Sequence, residues 1–192
     1  MKSHFERLIK IAMWMAIVFF VIRAAISWEE LNSAASIYLI FGYAGEAIGV
    51  AAILVLCYEK LFWRYDPFIN TPYIAGEYQG VIVSNYDRKK RCGTVKIKQT
   101  FLSVEVVVKT GESESRSVSG TIEEIFGRLE LIYTYINEPK LSVRDRSTIH
   151  FGTATFIIDK KNYIDKKNYL EGGYYTDRNT SGDMKFTKIN KG

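Results

Sequence analysis

Chemistry-bearing residues are scarce in this 192-residue chain. It has two cysteines, Cys57 and Cys92, two histidines, His4 and His150, and three prolines. Two cysteines make no disulfide framework, and no Cys/His spacing suggests a zinc site. There is no Gly-rich phosphate loop with its Lys, no nucleophile elbow and no His-Glu-x-x-His. His150 has no obvious nucleophile beside it. No catalytic residue, metal site or bound cofactor is therefore expected. No long helical period appears after residue 66, apart from a possible turn at Ile122–Ile125. The net charge of +5 is also small. Residues 1–65 contribute +1 and residues 66–192 contribute +4. A charge of this size permits attraction to nucleotides or anionic lipids, but an ordinary solvated surface explains it as well, and no DNA or RNA polymer is expected as a partner.

What the sequence does have is two long apolar runs near its start. The second, Ile37–Tyr58, is 22 residues with a single charge, Glu46. At about 1.5 Å per residue a helix of that length covers roughly 33 Å, enough to cross a bilayer core. The first run lies between Leu8 and Trp28, with Lys2, Arg7 and Lys10 ahead of it and Arg23 near its far end. A signal peptide with a loose Ala25-Ile26-Ser27 cleavage site is the competing reading. The second apolar run follows within eight residues, which favours an uncleaved hairpin of helices over 8–28 and 37–58.

Basic residues precede the first run and follow the second (Lys60, Arg64), whereas Trp28–Ser36 carries Glu29 and Glu30 and no cation. The positive-inside rule then places both termini and everything after residue 65 in the cytoplasm of an inner-membrane protein. Tyr58, Phe62, Trp63 and Tyr65 would form an aromatic belt at the inner leaflet. Glu46 at membrane depth needs a partner, and Arg23 lies in the same half of the bilayer. Gly42, Gly45 and Gly49 offer close helix approach. Glu46 and Arg23 read either as glue for the hairpin or as a polar face lining an oligomer or pore.

After a linker over 66–75 come eight strand-like runs. They are Gly76–Ser84, Thr94–Thr100, Leu102–Lys109, Arg116–Ile125, Arg128–Ile136, Ser147–Ile158, Tyr169–Thr176 and Asp183–Ile189. Val95 and Ile97 alternate with Lys96 and Lys98, and Leu102, Val104, Val106 and Val108 share a face. Short links imply an antiparallel meander. Eight strands can close into an up-and-down barrel over 76–192, with a sandwich as the alternative. Lys and Glu on one strand face argue against an outer-membrane barrel. By period two, Tyr133, Tyr135 and Asn137 share a face, as do His150, Gly152 and Ala154, and Gly172, Tyr174, Thr176 and Arg178. Turned inward, they would offer stacking rings and hydrogen-bonding groups to a ligand. Turned to packing and turn chemistry, they would be ordinary core and loop residues.

Taken in order, the membrane hairpin, Ile74-Ala-Gly-Glu-Tyr-Gln-Gly, Tyr133-x-Tyr-x-Asn-Glu-Pro, His150-Phe-Gly-Thr-Ala and Leu170-Glu-Gly-Gly-Tyr-Tyr-Thr-Asp-Arg with Gly182 resemble one family. It is the two-transmembrane β-barrel effectors of CBASS, the cyclic-oligonucleotide antiphage systems of bacteria. The resemblance spans essentially the whole chain. Tyr78 stands where that family's first strand would carry Trp. The resemblance implies that the barrel senses a cyclic dinucleotide made on infection, that the protein forms a homo-oligomer, and that its helices disrupt the bilayer and kill the cell. It implies Tyr78, Tyr133, Tyr135, Asn137, His150, Thr176 and Arg178 as ligand-binding residues. The alternative is a membrane-anchored binding or scaffold barrel without pore activity.

Overall fold

A computed structural model describes residues 2–29, 36–158 and 169–189. The chain divides into two compact units. The first comprises residues 1–69 with Thr100–Leu102. Its helices α1, Lys2–Ile26, and α2, Ser36–Lys60, run antiparallel, with Arg7 beside Asp66 and Arg23 beside Glu46. The loop carrying Glu30 lies outside the described residues. Tyr43, Ala47 and Ala51, four apart on α2, are buried along the helix seam. Trp14, Phe41, Ile48 and Ile53 face outward. Both helices are long and apolar enough to cross a membrane.

A short 3-10 turn, Phe62–Tyr65, follows α2. The expected aromatic belt splits here. Phe62 and Tyr65 are exposed, but Trp63 is buried with Leu8 and Phe101, and Tyr58 donates to Asp66 Oδ2 at 2.5 Å. That hydrogen bond, the Phe68 amide and the nearby Arg7 hold the Asp66 carboxyl below its ordinary range.

The second unit is a closed, antiparallel, eight-stranded barrel in which each strand pairs with its sequence neighbours and β8 pairs with β1. The strands are β1 Gly76–Ser84, β2 Lys90–Gln99, β3 Val104–Thr110, β4 Ser113–Ile125, β5 Arg128–Pro139, β6 His150–Ile158, β7 Tyr169–Thr176 and β8 Ser181–Lys188. The sandwich alternative falls away, because closure satisfies the edges a sandwich would leave open. Several ends move. β2 begins four residues before Thr94, so the charged link expected over Asn85–Gly93 shrinks to 85–89, and β6 begins at His150 rather than Ser147. The possible helical turn at Ile122–Ile125 is strand. The link between β6 and β7, 159–168, lies outside the described residues.

The strand alternation sets the core. Val95, Ile97, Val106, Leu131, Phe156, Leu170 and Phe186 point inward and are buried, while Lys96 and Lys98 are exposed. Large rings face small residues across the ladder: Phe156 opposes Gly172, and Phe186 opposes Gly80. At Gly80 and Gly172 the backbone of the next strand lies where a Cβ would stand, so the strands approach closely there. The inward rings of Phe156 and Phe186, with centroids 6.0 Å apart, make that part of the lumen solid. β4 and β5 meet in a two-residue turn with positive φ at Phe126 (48°) and Gly127 (77°), the twist that suits a hairpin.

Candidate functional site

Toward the ends of β1, β3, β5 and β7 the lumen opens into a cavity of about 800 Å³. That is within the range of small-molecule sites. Its walls are the inward positions nearest that rim: Ile82 and Ser84 on β1, Arg91 on β2, Val108 and Thr110 on β3, and Ser113 and Ser115 on β4. Tyr133, Tyr135 and Asn137 come from β5, His150 from β6, and Tyr174 and Thr176 from β7. The hairpin links 85–89, 111–112, 140–149 and 177–180 form its mouth.

The cavity stays open because the tyrosines lie over small residues. Tyr135 opposes Gly152 and Tyr174 opposes Gly182 in the strand register. A Cβ on Gly152 would fall 2.4 Å from the Tyr135 ring, and one on Gly182 would fall 2.6 Å from the Tyr174 ring. Each ring therefore rests against the wall rather than across the lumen. Tyr133 stacks on Phe156 with centroids 6.0 Å apart and meets Tyr135 at 5.9 Å, so the floor of the site continues into the packed core.

Burial pushes the Tyr133 and Tyr135 phenols well above their ordinary range, keeping both protonated as donors at neutral pH. Among the described residues, none of the hydroxyls of Tyr133, Tyr135 and Tyr174 has an intramolecular hydrogen bond. Asn137 accepts from Ser115 Oγ at 2.7 Å through its carbonyl oxygen, which leaves its two amide hydrogens without a partner among the described residues. The His150 Nδ1 lies 3.0 Å from the Thr148 carbonyl, which only accepts. Nδ1 therefore carries the proton and Nε2 is left as the other bonding atom. The Thr176 hydroxyl is held by Thr180, 2.6 Å away, closing the β7–β8 turn.

The mouth is cationic. Lys89, Lys90, Arg91, Arg146 and Arg178 border it together with Asp87 and Glu112, and the same links carry Asp145 and Asp177. Asp87 grips Arg91 through both oxygens at 3.1 and 2.6 Å, which lowers the Asp87 pKa to about 2 and raises that of Arg91. Glu112 takes Arg146 at 2.7 Å. Arg178 sits in the turn after β7, with Nη1 3.5 Å from Ser147 Oγ. It makes no ion pair among the described residues. Arg178 reaches the rim through its turn rather than by strand alternation, because β7 ends at Thr176.

Six of the seven residues expected to bind ligand thus surround one cavity: Tyr133, Tyr135, Asn137, His150, Thr176 and Arg178. Tyr78 stands apart. It points inward as expected, but at the level of Val95 and Lys188, four residues below Ile82. Its ring is fully buried, its hydroxyl donates to the Ile74 carbonyl at 2.6 Å, and the Lys188 ammonium lies 5.7 Å from its centroid. Tyr78 is packing in the solid part of the barrel. Sequence reasoning missed Arg91, Ser115 and Tyr174. Tyr174 was on the inward face with Thr176, and Arg91 has the parity of Val95 and Ile97 once β2 extends back to Lys90. The intramembrane pair is present as expected. Arg23 Nε meets Glu46 Oε2 at 3.1 Å, Arg23 also bonds Ser27 Oγ, and its guanidinium lies 4.3 Å from the Tyr43 ring centroid. Among the described residues no group of acidic, His and Cys side chains could hold a metal ion.

Residues 69–188 match the family model described as Cap15, cyclic dinucleotide receptor domain. The chain is 27% identical to the CD-NTase-associated protein 15 of Staphylococcus schleiferi, over 98% of this chain and 100% of that protein. It is 29% identical to the CD-NTase-associated protein 15 of Yersinia aleksiciae, over 98% of this chain and 99% of that protein.

Proposed function

We propose a function for this chain from one premise: it belongs to the Cap15 cyclic dinucleotide receptor family. The barrel binds a cyclic dinucleotide in the 800 Å³ cavity, and the chain is an effector of CBASS antiphage defence. The observation that carries this reading is a set of uncommitted polar groups around a roomy site. Three tyrosine hydroxyls and the Asn137 amide face the cavity without intramolecular hydrogen bonds among the described residues, beneath a cationic mouth. Aromatic rings offer faces for the bases, amide and hydroxyl groups match base edges, and guanidinium groups suit phosphates. Arg178 meets a phosphodiester directly. Arg91 exchanges part of its Asp87 pairing for a ligand phosphate.

Downstream, ligand binding gathers copies of the chain into an oligomer, and the two apolar helices then disrupt the bilayer. Both helices lie in the inner membrane, with both termini and the barrel in the cytoplasm. A ligand drives such a step only by binding the assembled state more tightly than the separate one. The polar Arg23–Glu46 pair gives the helices a face that lipid solvates poorly, which suits gathering into an assembly.

Dye-filled vesicles carrying the full chain test this directly. Adding cyclic di-GMP, cyclic di-AMP or cyclic GMP–AMP should release dye for at least one of the three, and linear dinucleotides should not. Ligand binding without release would instead support a membrane-anchored binding module.

A further inference from the structure

The outer wall of the barrel is strongly two-sided. On β8, β1, β2 and β3 the outward positions carry Asp183, Lys185, Glu77, Lys96, Lys98, Glu105 and Lys109. On β6 the outward positions are Phe151, Thr153, Thr155 and Ile157, with no charge at all. Ile132, Thr134 and Ile136 continue this surface on β5, and Gly173 and Tyr175 continue it on β7. The large side chains here are open to solvent: Phe151 is 57% exposed and Tyr175 is 70% exposed.

We infer that the outer face of β5–β7 is the surface through which the barrel of one copy meets that of a second copy. The inference rests on the reading above, in which ligand binding gathers copies. Closure removes every strand edge, so barrels cannot join by adding strands and must use their walls. The centre of this wall is uncharged. β6 carries no outward charge, and the outward charges of its neighbours, Arg128, Glu130 and Glu138 on β5 and Glu171 on β7, lie toward the strand ends. Arg128 is paired to Glu130 and Glu171 to Lys185, so two copies related by a two-fold axis meet there with little charge to desolvate. Exposed Phe151 and Tyr175 supply knobs, and Gly173 beside them supplies a hollow, a self-complementary relief. A lipid surface is the poorer occupant, since the patch has no Trp and the one cation among the outward positions of β5–β7, Arg128, is held by Glu130.

The size of the patch fits a conditional contact. Strands about 4.8 Å apart and residues about 3.3 Å apart give a wall of roughly 300–400 Å². A stable dimer buries about 800 Å² per partner. This face alone is too small to hold free copies together, and it acts when something else brings them into line. The same strands carry the cavity. Asn137 points in and Ile136 out, His150 in and Phe151 out, Thr176 in and Tyr175 out. A ligand that fixes the inward groups also fixes the outward ones.

The test uses the full chain in detergent, with Phe151→Glu plus Tyr175→Glu as the variant and Thr94→Glu on the charged wall as the control. The probes are cyclic di-GMP, cyclic di-AMP and cyclic GMP–AMP. The double variant should keep its ligand-induced thermal shift, which also shows that it folds, yet lose the ligand-dependent rise in mass to dimer or beyond. The control should keep both. A double variant that assembles like the parent overturns the surface. If no probe binds the parent, the functional reading fails instead, and the surface is judged without ligand. In a Cys57→Ser, Cys92→Ser background at high concentration, Tyr175→Cys should then cross-link between copies several-fold more than Thr94→Cys. Equal cross-linking overturns it.

Discussion

At the scale of single residues, glycines decide whether the lumen is a core or a site. Tyr135 and Tyr174 keep to the wall because Gly152 and Gly182 stand opposite them. Gly152→Ala would place a Cβ 2.4 Å from the Tyr135 ring and 2.6 Å from the Tyr175 carbonyl oxygen, so ring and backbone would both have to shift. Such overpacking costs about 1–3 kcal/mol. The variant should therefore melt earlier in a thermal scan and bind dinucleotide more weakly, since the displaced ring enters the cavity. A variant that lost neither would show that the ring has room elsewhere. Period two was enough to put Tyr133, Tyr135 and Asn137 on one face and His150 on another, because alternation is a local property. Height within the barrel is not local. It depends on the register between strands, and for that reason Tyr78 was grouped with the site although it lies four residues below Ile82.

At the scale of elements, the two apolar helices and the eight strands were legible from length, charge and alternation. The strand ends were not. Lys90 and Arg91 read as part of a charged link, yet pairing with Val83 and Ile82 draws them into β2 and turns Arg91 inward. Ladder hydrogen bonds overrode composition there, and with them went the most obvious way of finding Arg91. Trp63 shows the same limit. An aromatic after a membrane segment reads as an interfacial anchor, but its burial with Leu8 and Phe101 is a tertiary fact. The helical hairpin carries its own prediction. Glu46 is paired with Arg23 and retains 61% exposure of its side chain. Glu46→Leu should leave insertion and dinucleotide binding intact, as read by membrane fractionation and thermal shift, while vesicle dye release falls by tenfold or more. Release equal to that of the parent would make the pair packing glue.

At the scale of the whole molecule, a cyclic dinucleotide receptor barrel and two apolar helices long enough to cross a membrane share one chain. The barrel spends polar groups on an open cavity where packing would otherwise have stabilised it, which is the mark of a ligand site. The central claim is that this ligand is a cyclic dinucleotide held at the mouth by Arg178. Calorimetric titration of the full chain in detergent with cyclic di-GMP, cyclic di-AMP and cyclic GMP–AMP tests it. A hydrogen bond to a charged group contributes about 1.5–3 kcal/mol, so Arg178→Ala should weaken binding by about tenfold or more. The account predicts saturable binding of at least one of the three by the parent and that loss in the variant. Binding of none, or equal affinity in parent and variant, would contradict it.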